Sequence, residues 1–379
     1  MPSVKPDIET YARIKVVGIG GGGGKAVTRM IDHKINGVDF LTINTDVQDL
    51  HFTKARTKIH IGKNLTKGLG AGMNPDLGRQ AAEENRDEIH EALKGADMVF
   101  LTCGLGGGTG SGAGPVIAEV SRDSGALTIG VVTKPFNFEG VQRTRIAEDA
   151  WRELRDRVDA LITIPNDRLL AVIGKDMPLL SAFAICDDVL RHAVQGISDL
   201  IVTPGIINVD FADVRAIMRD TGSALMGVGY GTGEDRATAA AKAAINSPLL
   251  DISIEGARGV LFNVSGGMDL TMWEINEAAR VITESIDRDA KVIFGAVHDE
   301  RLKKGEVKIT VIATGFPGGQ GMTHTPLGKE EHAVEIKRAP MQPVPGMSGV
   351  EKGPLQNRQP LQQESDWDAI PAFLRRRNK

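Results

Sequence analysis

Apolar and polar positions in residues 13–176 alternate as strands followed by helices. RIKVVGIG (13–20) and ADMVFLTCG (96–104) are short apolar runs that predict buried strands, while GRQAAEENRDEIHEALKG (78–95) has the helical repeat and ends at a glycine. Because the strands are continuously apolar and alternate with helices, they indicate a parallel sheet covered on both faces. Further strands are predicted at 38–44, 126–133 and 159–165, and further helices at 26–35, 115–125 and 141–157.

A wider apolar stripe follows at residues 177–203 and predicts one long helix. Its apolar residues have the 4-3-4-4-3-4 spacing of a helix face, and other aliphatic residues flank them, which indicates burial on more than one side. The stripe consists of Leu179, Phe183, Cys186, Leu190, Val194, Ile197 and Ile201. We expect this helix to join two domains. The second domain is predicted at 204–316, with helices near 211–221 and 235–246 and strands at 224–230, 259–264, 291–297 and 306–314.

The alternating pattern ends after Phe316. Residues 317–365 are rich in Pro, Gly and Gln and contain few aliphatic residues, so they predict a disordered linker. Residues 366–379 regain aromatic and aliphatic side chains beside a basic run, which is typical of a short recognition peptide. The predicted order of the chain is therefore an N-terminal extension (1–12), a first α/β domain (13–176), the long helix (177–203), a second α/β domain (204–316), the linker and the peptide.

The composition fits a soluble globular chain and excludes several other classes. Of the 379 residues, 41% are hydrophobic and 25% are charged. The net charge of -4 argues against a protein that binds nucleic acid through bulk positive charge. The two cysteines, Cys103 and Cys186, are too few for a disulfide scaffold and fit a reducing cytosol. With no apolar run of ~18 residues and no N-terminal signal, we predict a cytoplasmic protein without direct membrane insertion.

The first of two glycine runs is GIGGGGGKA (18–26), between a predicted strand and a predicted helix. It satisfies the pattern G-x-G-x-x-G, which lets backbone N–H groups approach phosphates at a helix N-terminus. A tight strand-to-helix turn without a ligand would give the same pattern. A P-loop is excluded, because Ile19 stands where its first glycine belongs and Ala26 replaces its Ser or Thr.

The second glycine run, CGLGGGTGSGAGP (103–115), also lies between a buried strand and a helix. Its glycines permit close approach of a ligand, and Thr109 and Ser111 add hydroxyl donors. A flexible linker is the alternative, but linkers do not ordinarily stand between a core strand and a capped helix. Two phosphate-binding turns in one domain favour a nucleoside triphosphate, whereas an ordinary dinucleotide-binding fold has no use for the second turn.

These motifs resemble a known family. GGGTGSG (106–112) resembles the signature of the tubulin/FtsZ superfamily, and four other segments resemble the FtsZ family of bacterial cell-division GTPases: KPFNFEGVQR (134–143), IPNDRLL (164–170), INVDFADVR (207–215) and DAIPAFLRR (368–376). The resemblance covers roughly 13–316 and the tail peptide. It implies an α/β fold in which a Rossmann-like GTP-binding domain is joined by a long central helix to a second α/β domain, followed by a disordered C-terminal tail.

The resemblance also implies a binding site for GTP or GDP, with Mg²⁺ as the accompanying cation and its protein ligands undefined. Phosphate contacts are implied for Gly21, Gly22, Gly23, Gly24, Lys25, Gly107, Gly108, Thr109 and Gly110; ribose contacts for Glu139 and Arg143; and guanine contacts for Asn166, Phe183 and Asp187. Glu139 and Arg143 have the i,i+4 spacing of an ordinary surface ion pair, which is the alternative for that pair. Ordinary core packing is the alternative for Phe183.

Three polar residues of INVDFADVR have implied catalytic roles. In the family this loop belongs to the active site of the neighbouring subunit, so Asn208, Asp210 and Asp213 would reach the γ-phosphate of the next molecule. The alternative is helix capping, with Asp210 as N-cap and Asp213 in the first turn. Both interpretations can hold together.

The resemblance predicts a GTP-dependent polymerising protein that forms the division ring beneath the inner membrane. Its implied partners are other copies of itself and, through Asp366 to Lys379, membrane anchors and division regulators. One alternative is a dinucleotide-dependent oxidoreductase, which does not explain the second glycine run. Another is a non-hydrolysing structural paralogue, against which the intact Asp210 and Asp213 argue. Lys25 departs from the family pattern, where many members have an uncharged residue, and could strengthen phosphate binding or slow product release.

Overall fold

A computed structural model describes residues 12–170, 177–203, 205–247, 253–299 and 301–316 of the chain. The first eleven residues, the predicted linker at 317–365 and the predicted peptide at 366–379 lie outside the described residues. Among the helices that the structure describes, we find none with both the length and the apolar character needed to traverse a lipid bilayer.

The described strands form one mixed sheet. They are β1 (Ile14–Ile19), β2 (Val38–Asn44), β3 (Thr57–His60), β4 (Met98–Gly104), β5 (Leu127–Lys134), β6 (Ala160–Pro165), β7 (Gly222–Thr232), β8 (Gly259–Gly266), β9 (Lys291–His298) and β10 (Glu306–Thr314). Their order is β3-β2-β1-β4-β5-β6-β7-β10-β8-β9. Pairing is parallel from β3 to β7 and between β8 and β9, whereas β10 is antiparallel to both of its neighbours. The α/β fold class is therefore confirmed, with a mixed sheet.

Helices cover both faces of the sheet. They are α1 (Gly20–Asp32), α2 (Val47–Phe52), α3 (Lys63–Thr66), α4 (Pro75–Glu84), α5 (Arg86–Leu93), α6 (Gly108–Asp123), α7 (Val141–Arg155), α8 (Asn166–Leu170), α9 (Leu179–Val202), α10 (Phe211–Met218), α11 (Arg236–Ile245) and α12 (Met272–Thr283). One apolar core lies between β1, β4 and β5 and the helices α1 and α9, and a second lies on the opposite face against α5, α6 and α7. A third core packs α11 and α12 on the second half of the sheet.

Strand β7 connects the two halves of the sheet. Its first residues pair with β6, and Leu225 to Thr232 pair with β10. Glycines at 227, 229 and 231 bring α11 onto this strand, because a Cβ atom at any of them would collide with the backbone of α11. The domain bounds 13–176 and 204–316 remain predictions, since one sheet runs through both segments.

The glycine runs differ from the predicted pattern, because the second part of each run already belongs to a helix. The helices predicted at 26–35 and 115–125 begin at Gly20 and Gly108 instead. Close packing is the physical reason: a Cβ atom at Gly112 would lie 2.8 Å from the backbone nitrogen of Arg79 in α4. The helix predicted at 78–95 is two helices, α4 and α5, which are separated at Asn85. The side-chain oxygen of Asn85 accepts a hydrogen bond from the backbone N–H of Gly62. Strand β3 and the helices α2, α3, α8 and α12 were not predicted.

Candidate functional site

The two glycine turns stand side by side at the carboxyl ends of β1 and β4, which are paired strands. Each turn contains a glycine in the left-handed region, Gly20 with φ +70° and Gly106 with φ +97°. These residues let the chain reverse sharply from strand to helix. The two helix N-termini line one cavity of about 1000 Å³, at the edge where parallel sheets bind their ligands.

Both helix N-termini have unsatisfied donors. The N-cap residues, Ile19 for α1 and Gly107 for α6, provide no side-chain hydrogen bond, and neither first turn contains an acidic residue. The first N–H groups of the two helices therefore have no capping partner, and the positive ends of two helix dipoles face the cavity. Such an arrangement is suited to bind an anionic group such as a chain of phosphates.

Gly107 shows that the cavity fits a ligand that approaches the backbone. Its backbone is extended, with φ -95° and ψ 174°, which any residue adopts. A Cβ atom there would meet no protein atom within 4 Å. Nothing in the protein itself requires glycine at this position, but a side chain would project into the space where phosphates would lie.

Gly23 is the exception among the predicted phosphate-binding residues. Thirteen of the fourteen predicted nucleotide-binding residues line the cavity, and Gly23 does not. A Cβ atom at Gly23 would lie 2.9 Å from the carbonyl carbon of Gly18 and would collide with the carbonyl oxygen of Thr102. Gly23 is therefore explained by the packing of α1 on β1 and β4.

The far end of the cavity combines a buried amide, an aromatic ring and a carboxylate. Asn166 begins α8 and is buried, yet its Oδ1 atom has no hydrogen-bond partner among the described residues. A buried acceptor without a partner costs about 1–3 kcal/mol, so this atom favours a ligand that donates to it. Phe183 is 40% exposed and has its ring 5.5 Å from that of Phe136, edge to face, so its outer surface is free for stacking. Asp187, one turn further along α9, lines the same end.

The carboxyl group of Asp187 has a strongly perturbed pKa. Burial raises its pKa from an ordinary value of 3.8 to about 6, while the nearby cations Arg29 and Lys25 act in the opposite direction. The cations come from α1, which packs against α9. A perturbed carboxylate in a cleft is a common property of functional sites.

Glu139 and Arg143 stand together on the side wall of the cavity. Their ion pair joins Nη1 of Arg143 to Oε2 of Glu139 at 2.7 Å. Glu139 also accepts a hydrogen bond from the backbone of Phe136 at 2.9 Å, which fixes the 3₁₀ turn Asn137–Glu139. Glu139 and Arg143 therefore form the ion pair that the alternative interpretation predicts, but both residues also line the cavity.

The acidic loop stands at the opposite end of the molecule. At about 1.5 Å per residue, α9 extends about 28 Å from Phe183, beside the cavity, to Val202. Val202 lies against Gly37, at the amino end of β2. The loop remains at that end. Ile207 pairs with Ala296 of β9. Val209, from the loop, and Leu200, from α9, both lie beside Gly295 of β9.

The three predicted catalytic residues are exposed on this loop. Asn208 accepts a hydrogen bond from the backbone of Gly205 at 2.6 Å, which shapes the loop. Asp210 occupies the N-cap position of α10, but its side chain makes no capping hydrogen bond. Asp213 lies in the first turn of the same helix. Within the described ranges, neither carboxylate has an ion-pair or hydrogen-bond partner, so capping alone does not explain Asp210.

Comparisons with known proteins agree with this geometry. A family model described as the GTPase domain of the Tubulin/FtsZ family matches residues 13–174, and a model of the FtsZ family C-terminal domain matches residues 222–317. The empty FtsZ dimer of M. jannaschii is similar to this chain at 47% identity and a TM-score of 0.78, with 81% of this chain and 89% of that chain covered. The chain belongs to the tubulin/FtsZ family.

Two more distant structures share the fold of this FtsZ-like GTPase. They are the GTPγS-bound protofilament of CetZ2 from Haloferax volcanii and the GDP-bound monomer of CetZ1 from the same organism. The first has 21% identity and a TM-score of 0.69, covering 79% of this chain and 92% of that chain. The second has 23% identity and a TM-score of 0.67, covering 81% of this chain and 96% of that chain. The family resemblance and the GTPase activity predicted from the motifs are confirmed, and the oxidoreductase alternative is wrong.

Several residues of the cavity in this FtsZ-family chain were missed by the sequence analysis. Arg29 stands four residues after Lys25 on α1, and this i,i+4 spacing could have identified it. Asn44 is the last residue of β2 and Asp49 lies beside Gly21, but neither belongs to a recognised motif. Thr45 holds the hydroxyl of Thr109 at 2.7 Å, a contact that no sequence pattern reveals.

Ser111 has a different role from the one predicted. It is buried, and its hydroxyl oxygen accepts a hydrogen bond from the backbone N–H of Gly106 at 2.9 Å. It does not line the cavity. Ser111 therefore stabilises the glycine turn, whereas Thr109 faces the cavity.

Proposed function

We propose that this chain is a polymerising cell-division GTPase, which binds GTP in the cavity and hydrolyses it at the contact between successive subunits of a ring at the division site. The separation between the cavity and the acidic loop carries this proposal. A general base must stand within hydrogen-bond reach of the attacking water. At about 28 Å along α9, the loop of the same molecule cannot reach the γ-phosphate.

The cavity accommodates the three parts of GTP in order. The phosphates lie at the N-termini of α1 and α6, where backbone N–H groups and the hydroxyl of Thr109 bind them. Glu139 and Arg143 hold the ribose and the neighbouring phosphate. At the far end, Phe183 stacks on the base, while the amide of Asn166 and the carboxylate of Asp187 bind its edge. Guanine presents two neighbouring donors, N1–H and N2–H₂, to a carboxylate, and adenine lacks this pair.

The loop of the next subunit supplies the catalytic carboxylates. Asp210 and Asp213 orient and deprotonate the attacking water, because both are exposed and without partners among the described residues. Asn208 holds the loop through Gly205 and keeps its amide N–H groups for the nucleotide. A contact that joins the cavity end of one subunit to the loop end of the next is head-to-tail, so each added subunit presents a new cavity or loop and a filament can grow.

Exposed apolar residues at both ends support this contact. Phe138 and Val141 flank Glu139 and are 64% and 77% exposed, and Ile206 near the acidic loop is 62% exposed. Large exposed apolar side chains beside a functional site are typical of an interaction surface. The two ends therefore have matching apolar character beside the residues that must meet.

Mg²⁺ accompanies the nucleotide in this proposal. Among the described residues there is no group of three or more His, Cys, Asp or Glu side chains that could hold a metal ion. This agrees with a cation bound chiefly by phosphate oxygens and water, which is how Mg²⁺ commonly binds nucleotides. Asp49, which lines the cavity beside Gly21, is the carboxylate best placed to assist. The cation would neutralise phosphate charge during hydrolysis.

Mixing two inactive variants tests the shared site. Gly107→Glu places a carboxylate in the phosphate cradle, and its Cβ atom would meet no described atom within 4 Å, so the variant should not bind GTP but should still present an intact loop. Asp213→Ala should bind GTP but hydrolyse it slowly. Phosphate release should partly recover when the two variants are mixed, because one orientation of the mixed contact contains a complete site.

The matched control mixes Asp210→Ala with Asp213→Ala, which should not recover, because every contact then lacks a carboxylate. The specific activity of the unmodified chain should also rise with protein concentration. A constant specific activity and no recovery in the first mixture would contradict the shared site. Absence of hydrolysis at every concentration would favour the non-hydrolysing structural alternative.

The remaining partners of this proposal are membrane anchors and division regulators that bind residues 366–379. The support is the sequence of that segment, in which Ile370, Phe373 and Leu374 provide apolar anchors beside a basic run. Deleting 366–379 should leave GTP turnover unchanged in solution and abolish recruitment to the division site in cells. A deletion variant that loses GTP turnover would contradict this assignment.

A further inference from the structure

Two cations on α1 face two carboxylates on α9 at the base end of the cavity. Arg29 places its Nε atom 3.8 Å from Oδ2 of Asp187 and its Nη1 atom 3.5 Å from Oδ2 of Asp188. Lys25 stands one turn before Arg29 on α1 and lines the same cavity. The side chains of Arg29, Asp187 and Asp188 are all about two thirds buried or more, with 31%, 24% and 34% exposed.

The distance between Arg29 and Asp187 is long for a hydrogen bond but short for an electrostatic interaction. Hydrogen bonds from nitrogen to oxygen rarely exceed about 3.2 Å, whereas the attraction between two charges declines only slowly with distance. Asp187 accepts no hydrogen bond from the described residues, so its oxygen atoms remain available. Arg29 therefore stabilises the charge of Asp187 without occupying the acceptors that a base would use.

Asp188 fixes the guanidinium group in this position. Its Oδ1 atom also pairs with Nε of Arg191 at 3.3 Å, one turn further along α9. Arg191 is itself held by Gln195, to which its Nη1 atom donates at 2.7 Å. Asp188 thus stands between two arginines. When a ligand binds Asp187, the ion pair between Asp188 and Arg29 can hold the guanidinium group in place.

The charges around Asp187 oppose one another. Burial raises its pKa, the charges of Arg29 and Lys25 lower it, and the charge of Asp188 raises it. The other elements packed against α9 also carry charged groups, but none of these is among the charges that shift the pKa of Asp187. They are Asp167 and Arg168 on α8, Lys134 at the end of β5, and Lys291 and His298 on β9. Glu139 and Arg143 stand on the side wall of the cavity.

We propose that Arg29 is a positioning residue for guanine recognition, which keeps the Asp187 carboxylate ionised and oriented toward the cavity while Asp188 anchors the guanidinium group. The inference rests on the proposed role of Asp187 in binding guanine. A neutral Asp187 could not accept from both N1–H and N2–H₂ of the base. Guanine discrimination should therefore depend on pH, and Arg29 should set the pH at which it is lost.

The experiment measures the ratio of the dissociation constants of ADP and GDP for the full chain between pH 5 and pH 8.5. The ratio removes the titration of the phosphates, because both ligands carry the same diphosphate. For the unmodified chain, the preference for GDP should be constant above pH 7 and decline as the pH falls through about 6, the pKa of Asp187. Arg29→Gln should move this midpoint to higher pH and reduce the preference at pH 7 severalfold.

Two further variants make the test independent of a general packing defect. Arg29→Lys keeps the positive charge, so its midpoint should lie close to that of the unmodified chain. Asp188→Asn removes the anchor of Arg29, so Arg29→Gln should shift the midpoint less in the Asp188→Asn variant than in the unmodified chain. Weaker GDP binding at every pH with an unchanged midpoint would show that Arg29 only packs α1 against α9, and would overturn the inference.

Asp187→Asn separates this inference from the proposed function. If that variant binds ADP and GDP equally well, Asp187 reads guanine, and the Arg29 variants alone decide the inference. If it keeps the full preference for GDP, the proposed guanine contact is wrong, and the role of Arg29 is overturned with it.

Discussion

Gly37 and Val202 touch at the end of the molecule opposite the cavity. Gly37 precedes β2 with φ +71°, and a Cβ atom there would lie 2.9 Å from Cβ of Val202, the last residue of α9. The acidic loop follows Val202 directly. This contact therefore determines where the proposed catalytic loop leaves the long helix.

We predict that Gly37→Ala impairs hydrolysis more than nucleotide binding. The new methyl group must displace the end of α9, and the left-handed backbone adds strain of about 1 kcal/mol. Phosphate release should decline severalfold while the dissociation constant of GDP stays nearly unchanged. Gly125→Ala is the matched control, since its φ of +83° brings the same strain but no atom lies within 4 Å of the new Cβ. Equal activity losses in both variants would show that the contact with Val202 has no specific role.

A second prediction concerns the phosphate cradle. Gly107→Ala should leave the melting temperature unchanged, because its backbone is extended and its Cβ meets no protein atom. The dissociation constant of GTP should rise at least tenfold, since the methyl group occupies the space beside the phosphates. Calorimetric titration and thermal unfolding measure the two effects separately.

Gly114→Ala in the same helix is the control for that variant. Its Cβ would make only an ordinary contact, 3.9 Å from Sγ of Cys103, and Gly114 does not line the cavity. Replacing a helical glycine by alanine stabilises by about 0.5–1 kcal/mol. GTP affinity should not change. Unaltered GTP affinity in Gly107→Ala would instead refute the placement of the phosphates.

The third prediction is that Asp187 destabilises the empty protein at neutral pH. Its pKa rises from 3.8 to about 6 on folding, so the penalty is absent below pH 4, grows as the pH rises and is complete above about pH 6. Asp187→Asn should therefore raise the free energy of unfolding at pH 7.5 by about 1–3 kcal/mol. The gain should disappear near pH 4.

Added nucleotide should reverse the order of stability. Saturating GDP stabilises the unmodified chain through binding, whereas Asp187→Asn binds it weakly and gains little. Thermal unfolding with and without GDP at pH 7.5 and pH 4 measures all four cases. An Asp187→Asn variant that is less stable than the unmodified chain without nucleotide would contradict the burial penalty.

The fourth prediction separates two roles for Lys25, the departure from the family pattern. If its ammonium group reaches the phosphates, Lys25→Asn should weaken GTP more than GMP, and more at low salt than at high salt. If it acts on Asp187, whose pKa it lowers, the loss should be equal for both nucleotides. We expect the first pattern in addition to a small uniform loss. Affinities for GMP and GTP at two salt concentrations distinguish the outcomes, and no change in any of them would place the ammonium group in solvent.

Local patterns predicted the glycine turns that would bind the phosphates in the proposed function. The glycine turns after β1 and β4 contain left-handed glycines and lead into uncapped helix N-termini. Both features depend on residues that are neighbours in the sequence, so a local pattern can predict them. The same patterns could not distinguish Gly107, which faces the cavity, from Gly23, which packs against Gly18. The two differ only in what approaches them from elsewhere in the fold.

The sequence by itself determined the family, the order of most of the strands and helices and the chemical types of the site residues, because these depend on motifs and periodicity within short segments. Only the tertiary structure decided which groups meet. Arg29 faces Asp187 because α1 packs on α9, two helices far apart in sequence. The acidic loop lies far from the cavity because α9 extends about 28 Å between Phe183, beside the cavity, and Val202, which the loop follows. The spacing of apolar residues along the chain predicts the length of α9, but not the direction in which this helix crosses the sheet.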